Sequence, residues 1–138
     1  MKNILIIGAN GFTGRQILND LSNKEQYNAT GCSLHPDILP NGDGKYHFVT
    51  TDIRDEAAIK HLFKEAQPDA VINCSALSVP DYCETHHEEA YLTNVTAVSQ
   101  LAVFCEEYKS RFIHLSTDFV FDEKINEDAG LLYTEEDI

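Results

Sequence analysis

An apolar run, Asn3-Ile4-Leu5-Ile6-Ile7, stops at Gly8-Ala9-Asn10-Gly11-Phe12-Thr13-Gly14, and beyond it Ile17, Leu18 and Leu21 recur at helical spacing. Nothing else in the chain restricts the backbone so sharply. A β-rich run without polar alternation is what a strand buried on both faces requires. Gly8 lets the chain turn abruptly off that strand. Gly11 removes a Cβ where backbone would have to approach a pyrophosphate, and Gly14 lets the helix lie close on a sheet. The first N–H groups of that helix have no partners of their own and suit phosphate oxygens. A tight strand-to-helix turn that binds nothing would use the same glycines for packing alone. A P-loop is excluded, because no Gly-Lys-Ser/Thr follows.

The rest of the chain repeats the rhythm. Strand-like segments are expected at 29–34, 46–49, 70–74 and 111–115, separated by a turn-rich loop with Pro40, Gly42 and Gly44, a helix opened by Asp52 and Asp55, and a long helical region from Pro80 to Tyr108 with a break near His86-His87. Ala58, Ile59, Leu62 and Phe63 would form one face of the second helix. Strands alternating with helices imply right-handed crossovers and a parallel sheet. The expected fold is α/β, a doubly wound parallel sheet of the Rossmann type with strand order 3-2-1-4-5 and a ligand crevice at the carboxyl ends of the strands. Residues 1–121 would form the dinucleotide-binding domain. Residues 122–138, with seven acids against Lys124, would be an acidic loop-like tail.

A length of 138 residues suits one domain. The net charge of −13 repels nucleic acid and anionic lipid, so neither is an expected partner, and an anionic dinucleotide would have to be held locally by backbone N–H groups. No apolar run reaches about 18 residues, so no membrane span is expected. Cys32, Cys74, Cys83 and Cys105 form no C-x-x-C pair, which points to a reduced, cytoplasmic protein. His86 and His87 would point about 100° apart on a helix and cannot easily share one ion, so no metal is expected; His86-His87-Glu88-Glu89 reads as a solvated face.

The G-x-x-G-x-x-G spacing resembles that of the extended short-chain dehydrogenase/reductase family, and further segments follow in the family's order. Thr51-Asp52-Ile53-Arg54-Asp55 looks like the stretch in which an Asp accepts from the adenine amino group. Asn73-Cys74-Ser75-Ala76 resembles the strand end that passes beneath the cofactor ribose, and Asn94 matches the family's asparagine in the next helix. Asp81-Tyr82-Cys83-Glu84, Phe112-Ile113-His114-Leu115-Ser116-Thr117-Asp118-Phe119-Val120-Phe121-Asp122 and Tyr133-Thr134-Glu135-Glu136-Asp137 are similar to segments of the dTDP-4-dehydrorhamnose reductase group. The resemblance implies hydride transfer from NAD(P)H to the 4-keto carbon of a nucleotide-linked 6-deoxysugar. It implies Thr117 as the catalytic hydrogen-bond donor and a cofactor site of Gly8, Asn10, Gly11, Phe12, Thr13, Gly14, Ser33, Asp52, Ile53, Cys74, Ser75, Ala76, Asn94 and Ser116. Taken alone, Ser116 and Thr117 would read as ordinary strand-end capping.

The family's Tyr-x-x-x-Lys pair is absent from the sequence. The expectation is therefore a chain truncated before the later strands and the substrate-binding part, inactive by itself, with a nucleotide sugar as substrate of the full-length protein. Its open fifth-strand side makes a homodimer one expected assembly. At the end of the second strand no acid precedes Pro36, and Ser33, His35 and Arg15 favour NADP(H) over NAD(H). Two alternatives stand beside the reductase: a non-catalytic cofactor-binding regulatory subunit like that of methionine adenosyltransferase, and a nucleotide-sugar epimerase or dehydratase, against which the Thr117-Asp118 pair argues.

Overall fold

The computed structural model describes residues 1–38 and 45–117. The expected acidic tail, the motif residues from Asp118 onward, and Pro40, Gly42 and Gly44 lie outside the described residues. The described elements are β1 (Lys2–Ile7), α1 (Phe12–Ser22), β2 (Tyr27–Ser33), β3 (Tyr46–Thr50), α2 (Glu56–Ala66), β4 (Ala70–Asn73), α3 (Pro80–Thr85), α4 (His87–Tyr91), a π turn (Leu92–Thr96), α5 (Ala97–Glu107) and β5 (Arg111–His114). The strands form one parallel sheet in the order β3-β2-β1-β4-β5, as the alternation of elements implies.

The unbroken apolar run of β1 is explained by its central place. Leu5 and Ile7 face a core completed by Val71, Ile59, Phe63, Leu101 and Phe104 from β4, α2 and α5. Ile4 and Ile6 face the other side, against Leu18 of α1 and Ala29 of β2. Each such side chain contributes roughly 1.5–3 kcal/mol by leaving water. Phe63 anchors the first layer, with Phe104 and Tyr108 each 5.5 Å from its ring centre.

Several boundaries differ from the sequence expectation. β2 begins at Tyr27 rather than Ala29, because Lys2 and Asn3 of β1 supply pairing partners for Tyr27 and Asn28. The second helix is not opened by Asp52. Asp55 caps it, its carboxylate accepting from the Ala58 N–H at 3.0 Å, and the helix proper starts at Glu56. It ends in Gln67, left-handed at φ 41°, just before Pro68. The break in the long helical region does fall at His86, whose backbone leaves helical geometry. The π turn that follows has no counterpart in the expectation: there the Ala97 N–H donates to the Leu92 carbonyl, five residues back. Among the described residues no helix is long and apolar enough to cross a membrane.

Candidate functional site

The first glycine turn is set by contact with β4. Gly8 has φ +78°, and a Cβ there would lie 2.7 Å from the Ser75 amide nitrogen. Any other residue would be strained and would push β1 off the end of β4. The Gly8 and Ala9 N–H groups donate to the Cys32 carbonyl at 2.9 and 3.0 Å, tying the turn to β2. At Gly14 a Cβ would run into the carbonyl oxygen of Gly8, so α1 sits as close as a helix can. Gly11 caps α1 in extended conformation, and among the described residues no side-chain hydrogen bond caps the helix N-terminus. The Phe12 ring is 96% exposed and packs on nothing in the described chain.

Asn10 is used differently from its neighbours. Its Nδ2 donates to the carbonyls of His35 (3.0 Å) and Pro36 (2.9 Å), and its Oδ1 accepts from Arg15 Nη2 at 2.8 Å and from the Ile38 N–H at 3.3 Å. Its amide therefore shapes the loop after β2. Arg15 also pairs with Asp37 at 2.5 Å, with both side chains largely buried, and Tyr46 donates to the same carboxylate at 2.8 Å. Burial and the Asp37 carboxylate push the Tyr46 phenol above its ordinary range.

Two clefts open at the carboxyl ends of the strands and share the floor Cys74-Ser75-Ala76-Leu77. The first, about 290 Å³, brings together Gly8, Gly11, Ser33, Asp52, Ile53 and that floor, with Arg54 and Glu89. Arg54 grips Asp52: Nε lies 3.0 Å from both carboxylate oxygens, Nη2 lies 2.6 Å from Oδ2, and the backbone N–H lies 2.9 Å from Oδ1. These hydrogen bonds hold the Asp52 carboxyl below the usual carboxylate range. Arg54 Nη1 continues to Glu89 at 3.0 Å, and the other Glu89 oxygen accepts from the Tyr82 hydroxyl at 2.8 Å.

The second cleft, about 750 Å³, gathers Thr13, the floor residues, Asn94, His114, Ser116 and Thr117. Asn94, in the π turn, accepts from the Leu77 N–H at 2.8 Å and donates to the Leu77 carbonyl at 3.0 Å, which fixes the loop after the floor. π turns concentrate at functional sites. Asn73 is fully buried, its Oδ1 taking the Ser75 N–H (3.0 Å) and hydroxyl (2.6 Å). Its NH₂ must then face His114 Nδ1, 3.1 Å away, which places the imidazole proton on Nε2. The clefts thus collect all the expected site residues except Asn10, Phe12 and Gly14. The sequence reading gave no site role of their own to Arg54, Glu89, Tyr82, Asn73 and His114, although all but Glu89 stand in the motif segments it quoted. Arg54 lay inside a quoted segment, but no local pattern marks Glu89 as its partner. The cysteines are free, and burial pushes the Cys32 thiol up to about 12 and the Cys105 thiol up to about 11.

Comparison with known proteins bears on the fold and the family. The structure of a hypothetical dTDP-4-dehydrorhamnose reductase from Sulfolobus tokodaii superposes with a TM-score of 0.82 at 30% identity, covering 100% of this chain and 45% of that one. A probable low-salt glycan biosynthesis reductase of Haloferax volcanii is 39% identical over 85% of this chain and 37% of its own length. The methionine adenosyltransferase 2 subunit beta of Danio rerio is 31% identical over 88% of this chain and 34% of its own. The chain thus spans about a third of the length of these curated relatives. The model of the RmlD substrate-binding domain family matches residues 1–138, and the chain belongs to that family.

Proposed function

We propose that the chain is the cofactor-binding part of a reductase that transfers hydride from NAD(P)H to the 4-keto carbon of a dTDP-linked 6-deoxysugar. The observation that carries this reading is the cleft at the N-terminus of α1 that gathers Gly8, Gly11, Ser33, Asp52, Ile53 and the Cys74-Ser75-Ala76 floor, where Gly11 brings no side-chain cap. The bound nicotinamide would supply the hydride. The chain's own N–H groups at the start of α1 would hold the pyrophosphate, Asp52 and Ile53 the base, and the Cys74-Ser75-Ala76 floor the ribose. Thr117 would donate to the carbonyl oxygen as it gains negative charge. Ser33, uncharged at the end of β2, favours NADP(H), while Asp37 in the following loop neutralises Arg15 and opposes that preference. Calorimetric titration with NADPH and then NADH tests the reading. Saturable binding is expected, weakened about 100-fold or more by Gly11→Asp, which sets a carboxylate against the phosphates. A folded chain that binds neither would overturn it.

A second reading has a specific observation behind it, the likeness to the methionine adenosyltransferase subunit. A cofactor-binding regulatory chain would bind the dinucleotide equally well. The full-length protein separates the two: reduction of a dTDP-4-keto-6-deoxysugar supports the enzyme, and a stable complex with a methionine adenosyltransferase catalytic chain, without reduction, supports the regulator.

A further inference from the structure

His114, on the wall of the second cleft, has its hydrogen-bonding sense fixed from behind. Asn73 and His114 are register partners on β4 and β5, so their side chains leave the sheet on the same face. Asn73 is fully buried, and its amide is committed at both ends. The Ser75 N–H can only donate, so the amide oxygen must face it, at 3.0 Å, and the same oxygen takes the Ser75 hydroxyl at 2.6 Å. The NH₂ is left facing His114 Nδ1 at 3.1 Å, and Nδ1 must accept. In the neutral ring the proton then sits on Nε2, the nitrogen on the edge away from the buried amide. The imidazole is exposed, lines the second cleft, and has no further hydrogen bond among the described residues. This is the reverse of the pairing in which a carboxylate accepts from Nδ1–H and leaves Nε2 as a base. Its neighbours in the cleft differ: Asn94 and Cys83 are engaged with the Leu77 peptide, and the Ser116 and Thr117 hydroxyls can donate or accept.

We infer that His114 binds a carbonyl oxygen in the second cleft, that of the nicotinamide carboxamide, and that Asn73 is the positioning residue that makes it a donor. The inference rests on the dinucleotide reading and deepens it. In that reading Thr117 holds the oxygen of the carbon that receives hydride, so the nicotinamide must lie in the second cleft beside it. The start of α1 takes the pyrophosphate, Asp52 and Ile53 the base, and the shared floor the ribose. The nicotinamide ring remains for the second cleft, and its one hydrogen-bonding group is the carboxamide. The Nε2–H takes the carboxamide oxygen and leaves the NH₂ turned away. A ring held at one end by its ribose and at the other by its carboxamide cannot rotate, which is what hydride transfer in a defined direction requires.

The test compares the reduced dinucleotide, whichever of NADPH or NADH binds more tightly, with the matching ADP-ribose or its 2′-phosphate, which lacks the nicotinamide. Nitrogen NMR spectra of the histidine rings are taken at about pH 8, where an ordinary imidazole is neutral. The His114 resonances, identified by their loss in His114→Phe, should show a proton on Nε2 and none on Nδ1. The Nε2–H signal is expected to move when the dinucleotide is added and to stay in place with the ADP-ribose. Asn73→Asp keeps an acceptor for both Ser75 donors, sets an oxygen against Nδ1, and is expected to put a proton there. The second quantity read is the ratio of the two dissociation constants. His114→Phe should reduce the advantage of the dinucleotide about fivefold, and His114→Gln, which keeps an N–H donor, should restore most of it. A native ring protonated on Nδ1 overturns the inference, as does an Nε2–H signal that both ligands leave in place. A ratio unchanged in His114→Phe, with both ligands weakened alike, would show a merely structural role and overturn it too, while leaving the dinucleotide site intact. A folded chain that binds neither ligand removes the dinucleotide reading and this inference with it.

Discussion

The glycine turn and the Asp52–Arg54–Glu89 corner lie on the same cleft and are built by opposite means. The turn is made of backbone pressed on backbone: Gly8 against Ser75, Gly14 against the Gly8 carbonyl, with no side chain present to adjust. The corner is made of long side chains, with Arg54 and Asp52 about one-third exposed, reaching across three segments of chain. One region is fixed by exclusion and the other by pairing. Exclusion is unforgiving and independent of salt; pairing at this exposure is adjustable and screened. The turn should therefore govern whether the domain folds and accepts a phosphate, and the corner should add little to the stability of the fold.

Substitutions can break that contrast. The largest expected effect is at Gly14→Ala, where the added methyl meets backbone that cannot move without displacing β1 or α1. A loss of about 3 kcal/mol or more in urea unfolding is expected, and a native-like midpoint would show the turn to have slack. Asn94→Ala removes both hydrogen bonds to the Leu77 peptide and leaves its N–H and carbonyl without those partners. About 2 kcal/mol is expected by the same measurement, an intermediate case in which one side chain substitutes for backbone pairing. Arg54→Met should cost the least, under about 1 kcal/mol, because both ion pairs are substantially solvated. A larger loss would mean that the corner supports the fold and would erase the distinction between the two regions.

The same contrast separates what could be read in the sequence from what could not. The turn was legible because its constraint is local: three glycines at fixed spacing between a buried run and a helix require a particular backbone path. The strand order followed from the alternation of elements, since parallel pairing with right-handed crossovers leaves few choices. Asp52 was singled out in the sequence and lines the first cleft, but its bond to Arg54 was not legible, and it was misread as opening the helix that Asp55 caps. Glu89 lies 35 residues from Arg54. It sits in a stretch whose charges, taken alone, describe a solvated face. Asn73 stood in a quoted motif, but its burial was not legible, because an Asn at the end of an apolar strand gives no sign of the Ser75 and His114 partners that make burial tolerable.

The π turn at Leu92–Thr96 carries one residue more than an uninterrupted α-helix would hold. One residue is worth about 100° of rotation, so the helical stretches before and after the turn are out of phase by that amount. Losing a single codon there would leave a plausible, continuous amphipathic helix and would still swing either Asn94 away from Leu77 or Leu101 and Phe104 out of the core. Alignment gaps of one position at this place therefore carry meaning: a relative that lacks the residue has a different cleft wall, however well the remainder of its sequence agrees.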